Sequence, residues 1–237
     1  PYGSGLYDID KISKLDDENK HLRIERMQKN KHIIDKYIKD YMNWLNLRSV
    51  TNAFRKLGGD VEITNSKDKI RDSAAIVLPG VGAFGKCIEN LKKYEIFDLI
   101  KELAMNGKRY FGICLGMQVL FESSEESAGA EGMGIIKGDV PRFCGSVKVP
   151  HMGWNSVDIQ KKSNIFKGID SGEFFYFVHS YYCRPAEDVA ATNTCYGISF
   201  ASSIQKGNLF ACQFHPEKSQ KTGLKMIQNF IDTCCKK

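Results

Sequence analysis

A cysteine flanked by two glycines is the feature of this sequence that most directly suggests chemistry. Cys114 lies in the stretch 109–126, with Gly112 two residues before it and Gly116 two residues after it. An apolar run of strand length precedes the cysteine and a helix-like run follows, which is the layout of a nucleophile elbow with the pattern G-x-C-x-G. The glycines leave room for a strained turn, and the helix start favours a thiolate. The backbone N–H of Leu115 could stabilise an oxyanion.

A histidine and a glutamate near the C-terminus could complete this site. The last predicted strand runs directly into His215, Pro216 and Glu217. A histidine there lies at the edge where α/β sheets carry their sites, and a glutamate two residues later can hold its tautomer. A single histidine at a strand end is more often structural, but the elbow cysteine and the carboxylate favour catalysis. We therefore predict a Cys-His-Glu triad of Cys114, His215 and Glu217.

The other cysteines are predicted to be buried, unreactive thiols, because free cysteine is among the most buried residue types. This prediction covers Cys87, Cys144, Cys183, Cys195 and Cys212. The eight cysteines are irregularly spaced and include no C-x-x-C pair, which favours free thiols in a reducing compartment. Cysteines and histidines do not pair at the spacing of metal ligands, so neither a metal nor another cofactor is expected.

A glycine-rich loop, residues 79–85 with the sequence PGVGAFG, follows a predicted buried strand. Such a loop lets the backbone approach a ligand closely. Gly80, Gly85 and Lys86 have the spacing of a phosphate-binding loop, but Cys87 occupies the position that needs Ser or Thr. Nucleotide binding is therefore disfavoured.

The composition is that of an ordinary globular chain, with 42% hydrophobic and 26% charged residues among 237. The net charge of +6 comes largely from scattered lysines. We find no basic stripe interleaved with aromatic residues, so the sequence does not predict nucleic-acid binding. No apolar run reaches the length of a membrane span, and no apolar signal core is expected at the N-terminus. The cytoplasm is the expected compartment.

Apolar periodicity and turn residues predict alternating helices and strands. The predicted helices cover residues 47–57, 87–93, 96–105 and 219–234, and a further helix should run from residue 115 to about 121. The predicted strands cover residues 61–63, 73–78, 110–113, 173–182, 198–204 and 209–214. The segment HMGWN, residues 151–155, is predicted to be a loop. The alternation argues for an α/β fold with a mainly parallel sheet and functional residues at the strand ends.

Five stretches of the chain together resemble the glutaminase subunits of imidazole glycerol phosphate synthase, which are class I glutamine amidotransferases. They are GICLGMQVLFESSEE, PGVGAFG, VPHMGWN, YFVHSY and FACQFHPEKSQKTG. The resemblance implies a three-layer, flavodoxin-like fold for a glutamine amidotransferase domain over residues 45–237. The elbow and the HPE turn are shared by the superfamily, whereas NLRSV, PGVGAFG and VPHMGWN point to this subunit.

The resemblance also implies individual roles. Cys114 would attack the side-chain amide of glutamine, His215 would transfer the proton and Glu217 would orient the histidine, so that glutamate and ammonia are released. The positions that match the family's oxyanion elements are Gly80, Val81, Gly82 and Leu115. Those that match the residues holding L-glutamine are Gln118, Glu126, His179, Ser180 and Tyr181. Those that match the contact with a synthase subunit are Met152, Trp154, Asn155, Tyr176 and Lys218.

The implied partner is a (β/α)8-barrel synthase subunit, which forms a heterodimer with the glutaminase subunit and receives ammonia through its centre. The barrel would add ammonia to a phosphoribulosyl-formimino substrate, giving imidazole glycerol phosphate and an aminoimidazole carboxamide ribotide. Three alternatives stay open. They are a similar glutaminase that feeds a sugar amidotransferase of surface-polysaccharide synthesis, a catalytically silent binding partner, and a cysteine hydrolase of another substrate.

The N-terminal segment departs from the family. The family begins with an apolar strand and an Asp-Tyr-Gly-x-Gly-Asn turn, whereas KDYMNWL precedes NLRSV here. Residues 8–30 are strongly charged, and residues 33–45 have the apolar spacing of an amphipathic helix. We predict a charged, helical extension over residues 1–44. The first strand of the family is then either supplied by residues 32–35 or replaced by this helical segment.

Overall fold

A computed structural model describes residues 44–80 and 82–234 of the chain. The chain divides into two units, Pro1–Trp44 and Leu45–Lys237. The predicted helical extension over residues 1–44 and the alternative strand at 32–35 lie, except for Trp44, outside the described residues and stay predictions.

The described residues alternate between helices and strands. The helices are α1 (Trp44–Lys56), α2 (Lys67–Asp72), α3 (Phe84–Lys93), α4 (Phe97–Met105), α5 (Leu115–Gln118) and α6 (Gln220–Cys234). The longer strands are β1 (Ala75–Gly80), β2 (Arg109–Cys114), β5 (His151–Ser156), β7 (Phe174–His179), β9 (Ala190–Tyr196), β10 (Ile198–Lys206) and β11 (Leu209–Cys212). The short strands are β3 (Ser123–Ser124), β4 (Gly138–Val140), β6 (Asp158–Ile159) and β8 (Arg184–Pro185).

The central sheet has six strands in the order β1-β2-β11-β10-β9-β6. The strands that carry the predicted site, β1, β2 and β11, are parallel. The sheet continues in antiparallel pairs through β10, β9 and β6. Since β2 lies between β1 and β11, the carboxyl ends of these three strands meet at one edge of the sheet.

Side chains alternate along the central strands and build a core on each face of the sheet. On one face Tyr110, Leu209 and Ala211 pack with α3 and α4. On the other face Phe111 and Phe210 pack with α1 and α6, and their ring centres are 5.3 Å apart. Helices therefore cover both faces, which confirms the predicted three-layer α/β fold.

The segment HMGWN was predicted to be a loop, but the structure forms strand β5 there. β5 pairs antiparallel with β7, so that His151 lies opposite His179 and Trp154 lies opposite Tyr176. Gly153 has a φ of 137°, a conformation that disfavours a local strand prediction. The strand forms because the aromatic strand β7, more than twenty residues later, supplies the hydrogen-bonding partners.

Two other local predictions were wrong. Residues 61–63 form no strand with any described residue, and Ile63 is 57% exposed. The helix after the elbow ends at Gln118 instead of running to residue 121. After Gln118 the N–H groups of Leu120 and Phe121 donate to carbonyl groups three residues earlier instead of four, and the carbonyl oxygen of Gly116 accepts the Tyr110 hydroxyl in place of a helical N–H.

The cysteines divide between core and surface. Cys183 and Cys212 are buried as predicted, whereas Cys144 and Cys195 are exposed. Cys144 lies in an irregular loop, and Cys195 is an exposed residue near the end of β9. Burial raises the pKa of Cys87 to about 12, so this thiol stays protonated.

Candidate active site

The turn between β2 and α5 places Cys114 where the strand becomes a helix. Cys114 has φ 55° and ψ −107°, a strained conformation for a residue with a side chain. A Cβ atom at Gly116 would overlap the carbonyl oxygen of Leu78 on β1, and one at Gly112 would overlap the carbonyl oxygen of Gly116. Both flanking glycines are therefore required by the close approach of backbone to backbone.

The side chain of Tyr110 holds the elbow from inside the core. Its hydroxyl donates a hydrogen bond to the carbonyl oxygen of Gly116 at 2.7 Å. Helix α5 is only four residues long, so its carbonyl groups need hydrogen-bond donors outside the helix. Burial raises the pKa of Tyr110 well above its usual value, and the phenol therefore remains a hydrogen-bond donor.

The loop after β1 lies against the start of α5. Gly80 is the neighbour of Cys114 in the parallel register, and a Cβ atom at Gly80 would overlap the side chain of Leu115. As the first residue of α5, Leu115 has a backbone N–H without an acceptor inside the helix. The structure thus brings Gly80 and Leu115 next to the cysteine. Gly82 follows with a φ of 103°, and Val81 lies outside the described residues.

The far end of this loop is held by the segment that follows the elbow. Glu126 Oε2 accepts the backbone N–H of Phe84 at 2.6 Å, and Ser127 Oγ accepts that of Gly85 at 3.0 Å. These N–H groups belong to the first turn of α3, where a helix lacks internal acceptors and favours a carboxylate. Glu126, predicted to hold glutamine, therefore fixes the end of the glycine-rich loop.

His215 and Glu217 form a buried pair near Cys114. His215 Nδ1 and Glu217 Oε1 are 2.9 Å apart, and the two side chains are 2% and 0% exposed. Burial lowers the pKa of His215, but the neighbouring Cys114 and Glu217 raise it more, and the net result is a pKa raised to about 10. The contact with Glu217 therefore favours the protonated form of His215.

A closed ring of three hydrogen bonds holds the backbone of His215. The N–H of His215 donates to the carbonyl oxygen of Tyr176 at 2.9 Å. The N–H of Tyr176 donates to Ser219 Oγ at 3.0 Å, and the Ser219 hydroxyl donates to the carbonyl oxygen of His215 at 2.7 Å. We call this arrangement the histidine clamp. Lys218, predicted to contact a partner, is exposed in the same turn.

Two buried glutamines connect the elbow with the loop after β7. Gln213 Nε2 is 3.6 Å from Cys114 Sγ, and Gln213 Oε1 accepts from Gln118 Nε2 at 3.1 Å. Gln118 Nε2 also donates to the carbonyl oxygen of Tyr181 at 3.1 Å. Gln118 and Tyr181 were both predicted to hold glutamine. They lie close together and reach the cysteine through Gln213.

Two buried histidines fix the loop that contains Ser180 and Tyr181. His179 Nδ1 is 2.8 Å from the carbonyl oxygen of Tyr181, His179 Nε2 is 2.9 Å from His151 Nδ1, and His151 Nε2 is 3.2 Å from Asn155 Nδ2. A carbonyl oxygen only accepts, so neutral His179 carries its proton on Nδ1 and His151 carries its own on Nδ1. His179, predicted to hold glutamine, uses both ring nitrogens within the protein and positions the loop.

This histidine pair predicts a loss of stability in mild acid. Burial lowers the pKa of His151 to about 4, and burial is also the main cause of the pKa of about 3 for His179. A histidine in the unfolded chain has a pKa of about 6.5. Below that pH the unfolded chain binds more protons, so the free energy of unfolding should fall by about 2–3 kcal/mol between pH 6.5 and pH 5. Urea unfolding at both pH values measures this change.

His215 contributes little to this change. Because its pKa is raised in the folded protein, its contribution to stability is complete below pH 6.5 and is lost only as the pH rises towards 10. The variant His179→Gln, which keeps a donor for Tyr181, should lose about half as much stability over the same interval. An equal loss in the variant and the parent protein would contradict the assignment.

The outer face of β5 and β7 is apolar and exposed. Met152 is 63% and Trp154 is 46% exposed, and the ring of Tyr176 packs edge-on against Trp154 with the ring centres 6.1 Å apart. We call the surface of these three residues the aromatic face. Asn155, predicted to belong to the same contact, lies apart from it because its amide binds the buried His151.

Three buried polar residues around the predicted triad had no predicted role, namely His151, Gln213 and Ser219. Gln213 precedes His215 by two positions, and in the strand predicted up to residue 214 a two-residue repeat would place both on the same face. That repeat is the signal that could have indicated Gln213. His151 binds His179, 28 residues away along the chain, and Ser219 binds the N–H of Tyr176, 43 residues away. No local pattern indicates these two contacts.

Within residues 44–80 and 82–234, no three histidine, cysteine, aspartate or glutamate side chains are grouped as metal ligands would be. The described helices likewise include none with the length and apolar character needed to cross a membrane.

The fold and the elbow with its His–Glu pair define a class of protein. The chain matches the family described as glutamine amidotransferase class-I over residues 40–234, and it is a member of that family. A crystal structure of a glutamine amidotransferase shares the fold with a TM-score of 0.63 at 17% identity, over 79% of this chain and 93% of that one. PurLQS from Thermotoga maritima shares it with a TM-score of 0.62 at 19% identity, over 78% and 92%.

Two relatives indicate a narrower family within this class. Imidazole glycerol phosphate synthase subunit HisH of Methanocaldococcus jannaschii is 49% identical over 79% of this chain and 94% of that protein. The subunit of the same name from Moorella thermoacetica is 46% identical over 78% of this chain and 89% of that protein. The chain belongs to the family of these HisH glutaminase subunits.

Proposed function

We propose that this chain hydrolyses glutamine with Cys114, His215 and Glu217 and passes the ammonia to a synthase subunit in histidine biosynthesis. The observation that carries the proposal is the buried His215–Glu217 pair, with 2.9 Å between Nδ1 and Oε1, beside a strained elbow that holds the cysteine. The names of the HisH relatives support the same activity.

The chemistry would take two steps. The Cys114 thiolate attacks the side-chain amide carbon of glutamine, and the carbonyl electrons move onto oxygen. His215, as imidazolium, donates its Nε2 proton to the amide nitrogen, the C–N bond breaks, and ammonia leaves behind a thioester. Water then attacks the thioester while His215 accepts its proton, and the C–S bond breaks to release glutamate and the thiolate. Glu217 keeps the Nδ1–H oriented throughout.

Backbone N–H groups would stabilise the oxyanion in both steps. Leu115 contributes the N–H at the start of α5, and the loop of Gly80, Val81 and Gly82 contributes the second donor. The proposed glutamine site is formed by the residues around this loop and the loop after β7, namely Gln118, Glu126, His179, Ser180 and Tyr181. Both hydrogens of Gln118 Nε2 are used within the protein, so Gln118 would contact glutamine through Oε1.

The aromatic face is the proposed docking surface for a (β/α)8-barrel subunit. Exposed aromatic and methionine side chains are enriched where proteins associate. Tyr176 of this face also belongs to the histidine clamp, so a partner that shifts β7 would shift His215. Lys218 in the adjoining turn would extend the proposed contact, and Asn155 would contribute to it indirectly through its bond to His151. The barrel would use the ammonia to make imidazole glycerol phosphate and an aminoimidazole carboxamide ribotide.

Stimulation by the barrel subunit is the test of this function. Glutamate release is measured for the full chain alone, and with a barrel subunit of imidazole glycerol phosphate synthase and its nucleotide substrate. We expect slow release by the chain alone and at least about tenfold stimulation in the complex, the size of an ordinary coupling between sites. Equal rates with and without the barrel subunit would contradict control by this partner and would assign the ammonia to another acceptor.

A pair of surface variants makes the test specific. Trp154→Ala on the aromatic face should reduce the stimulation and leave release by the free chain unchanged. Met105→Ala removes an apolar side chain that is more exposed, 64% exposed at the end of α4, and should keep full stimulation.

A further inference from the structure

Gln213 contacts the nucleophile but has no part in the proposed triad. It directly follows β11, is fully buried and precedes His215 by two residues. Its Nε2 lies 3.6 Å from Cys114 Sγ, a hydrogen-bond distance for sulfur. Burying an amide is costly unless its groups are hydrogen-bonded, and the contact that the structure gives to Gln213 Nε2 is the sulfur of Cys114.

The direction of the Gln213 amide is determined by a backbone carbonyl group further along the chain of hydrogen bonds. The carbonyl oxygen of Tyr181 only accepts, so Gln118 must turn its NH2 group towards it. The second hydrogen of that NH2 then reaches Gln213 Oε1, and the Cys183 thiol lies 4.0 Å from the same oxygen. If the amide of Gln213 were rotated by 180°, its NH2 group would face the NH2 group of Gln118, and no hydrogen bond could form between them. The NH2 of Gln213 therefore faces the sulfur of Cys114.

We propose that Gln213 is a further catalytic residue, which donates an N–H to the sulfur of Cys114 and stabilises the thiolate as nucleophile and leaving group. This inference rests on the proposed hydrolysis of glutamine. A thiolate accepts an N–H far more strongly than a neutral thiol or a thioester sulfur does, because the bond is charge-assisted. The contact therefore favours the charged sulfur at the start of attack and again when the thioester breaks.

The other titratable groups near Cys114 differ from Gln213 in charge and chemistry, so the role of neutral N–H donor to the sulfur falls to Gln213. His215 approaches from the turn after β11 and supplies the positive charge. The thiols of Cys212 and Cys183 also lie near the nucleophile, and burial raises the pKa of both well above the usual value. Both thiols therefore stay neutral while Cys114 reacts, and Gln213 acts as a neutral donor beside the histidine.

The test compares Gln213→Met with Gln213→Glu in the full chain. Methionine keeps the length of the side chain without a donor, and glutamate keeps an acceptor for Gln118 while presenting oxygen to the sulfur. Alkylation of Cys114 by iodoacetamide is followed against pH, with Cys114→Ala as the background because the chain has eight cysteines. We expect the midpoint of alkylation to rise by about one pH unit in Gln213→Met, the effect of one charge-assisted hydrogen bond, and by more in Gln213→Glu.

Steady-state kinetics with glutamine gives the second readout. In the complex with the barrel subunit, kcat should fall about tenfold to a hundredfold in both variants. Gln205→Met on β10 makes the same replacement at a half-buried glutamine outside the site and should change neither readout. Thermal unfolding shows which variants keep the fold, and if the methionine variant does not fold, the glutamate variant decides.

Two outcomes would overturn the inference. One is an unchanged alkylation midpoint with unchanged kcat in a folded Gln213 variant, and the other is a change in KM alone. Either result is distinct from a failure of the proposed function, which would appear as glutamine hydrolysis by Cys114→Ala.

Discussion

Replacement of Cys114 by alanine is expected to abolish glutamine hydrolysis and to leave the use of free ammonia by the assembled synthase intact. The variant removes the sulfur that forms the thioester but keeps the backbone of the elbow. Removal of a covalent nucleophile costs about 10⁴-fold or more in kcat, so glutamate release should become undetectable. The two activities are measured on one complex, with glutamine in one assay and ammonium salt in the other.

The matched control for this variant is Cys144→Ala, which removes an exposed thiol from an irregular loop and should keep both activities. Residual hydrolysis of glutamine by the Cys114 variant would show that another residue is the nucleophile. Loss of the ammonia-driven activity as well would show that the variant no longer assembles, and the result would then not concern chemistry.

Replacement of Gly116 by alanine is expected to destabilise the fold strongly. The new Cβ would overlap the carbonyl oxygen of Leu78, and neither atom can rotate away because both are fixed to the backbone of packed elements. Overpacking of this kind costs about 3 kcal/mol or more. Urea unfolding should show this loss or no cooperative transition, and any folded fraction should hydrolyse glutamine poorly because Cys114 is displaced.

The control variant Gly145→Ala distinguishes the effect of the steric overlap at Gly116 from the effect of replacing a glycine by alanine. Gly145 has a φ of 88° and open space around its Cα, so alanine there costs only the strain of the left-handed conformation, about 1 kcal/mol. If the two variants lost similar stability, the close contact between β1 and α5 would not be what requires Gly116.

The parts of the site that the sequence could predict are those in which neighbouring residues determine the geometry. The elbow needs Gly112 and Gly116 within two residues of Cys114, and Glu217 reaches His215 across a single proline. Such short-range patterns are visible in a single sequence, and so is the alternation of apolar runs that indicates the α/β fold.

The parts that could not be predicted depend on contacts between distant segments. β5 exists because β7 pairs with it, and the segment after the elbow binds the loop 133–136 through its carbonyl oxygens. The chain of hydrogen bonds from Tyr181 through Gln118 to Gln213 joins three segments of the sequence. Gln118 was predicted to hold glutamine, and its use of both amide hydrogens within the protein was not foreseeable from the motif.

Through the histidine clamp, Tyr176 links the proposed docking surface to the proposed catalytic histidine by two different parts of the residue. Tyr176 contributes only its peptide N–H and carbonyl group to the clamp, while its side chain lies on the aromatic face. Every amino acid except proline offers the same two peptide groups. Position 176 can therefore diverge in evolution, or be redesigned for a new partner, while His215 keeps its place.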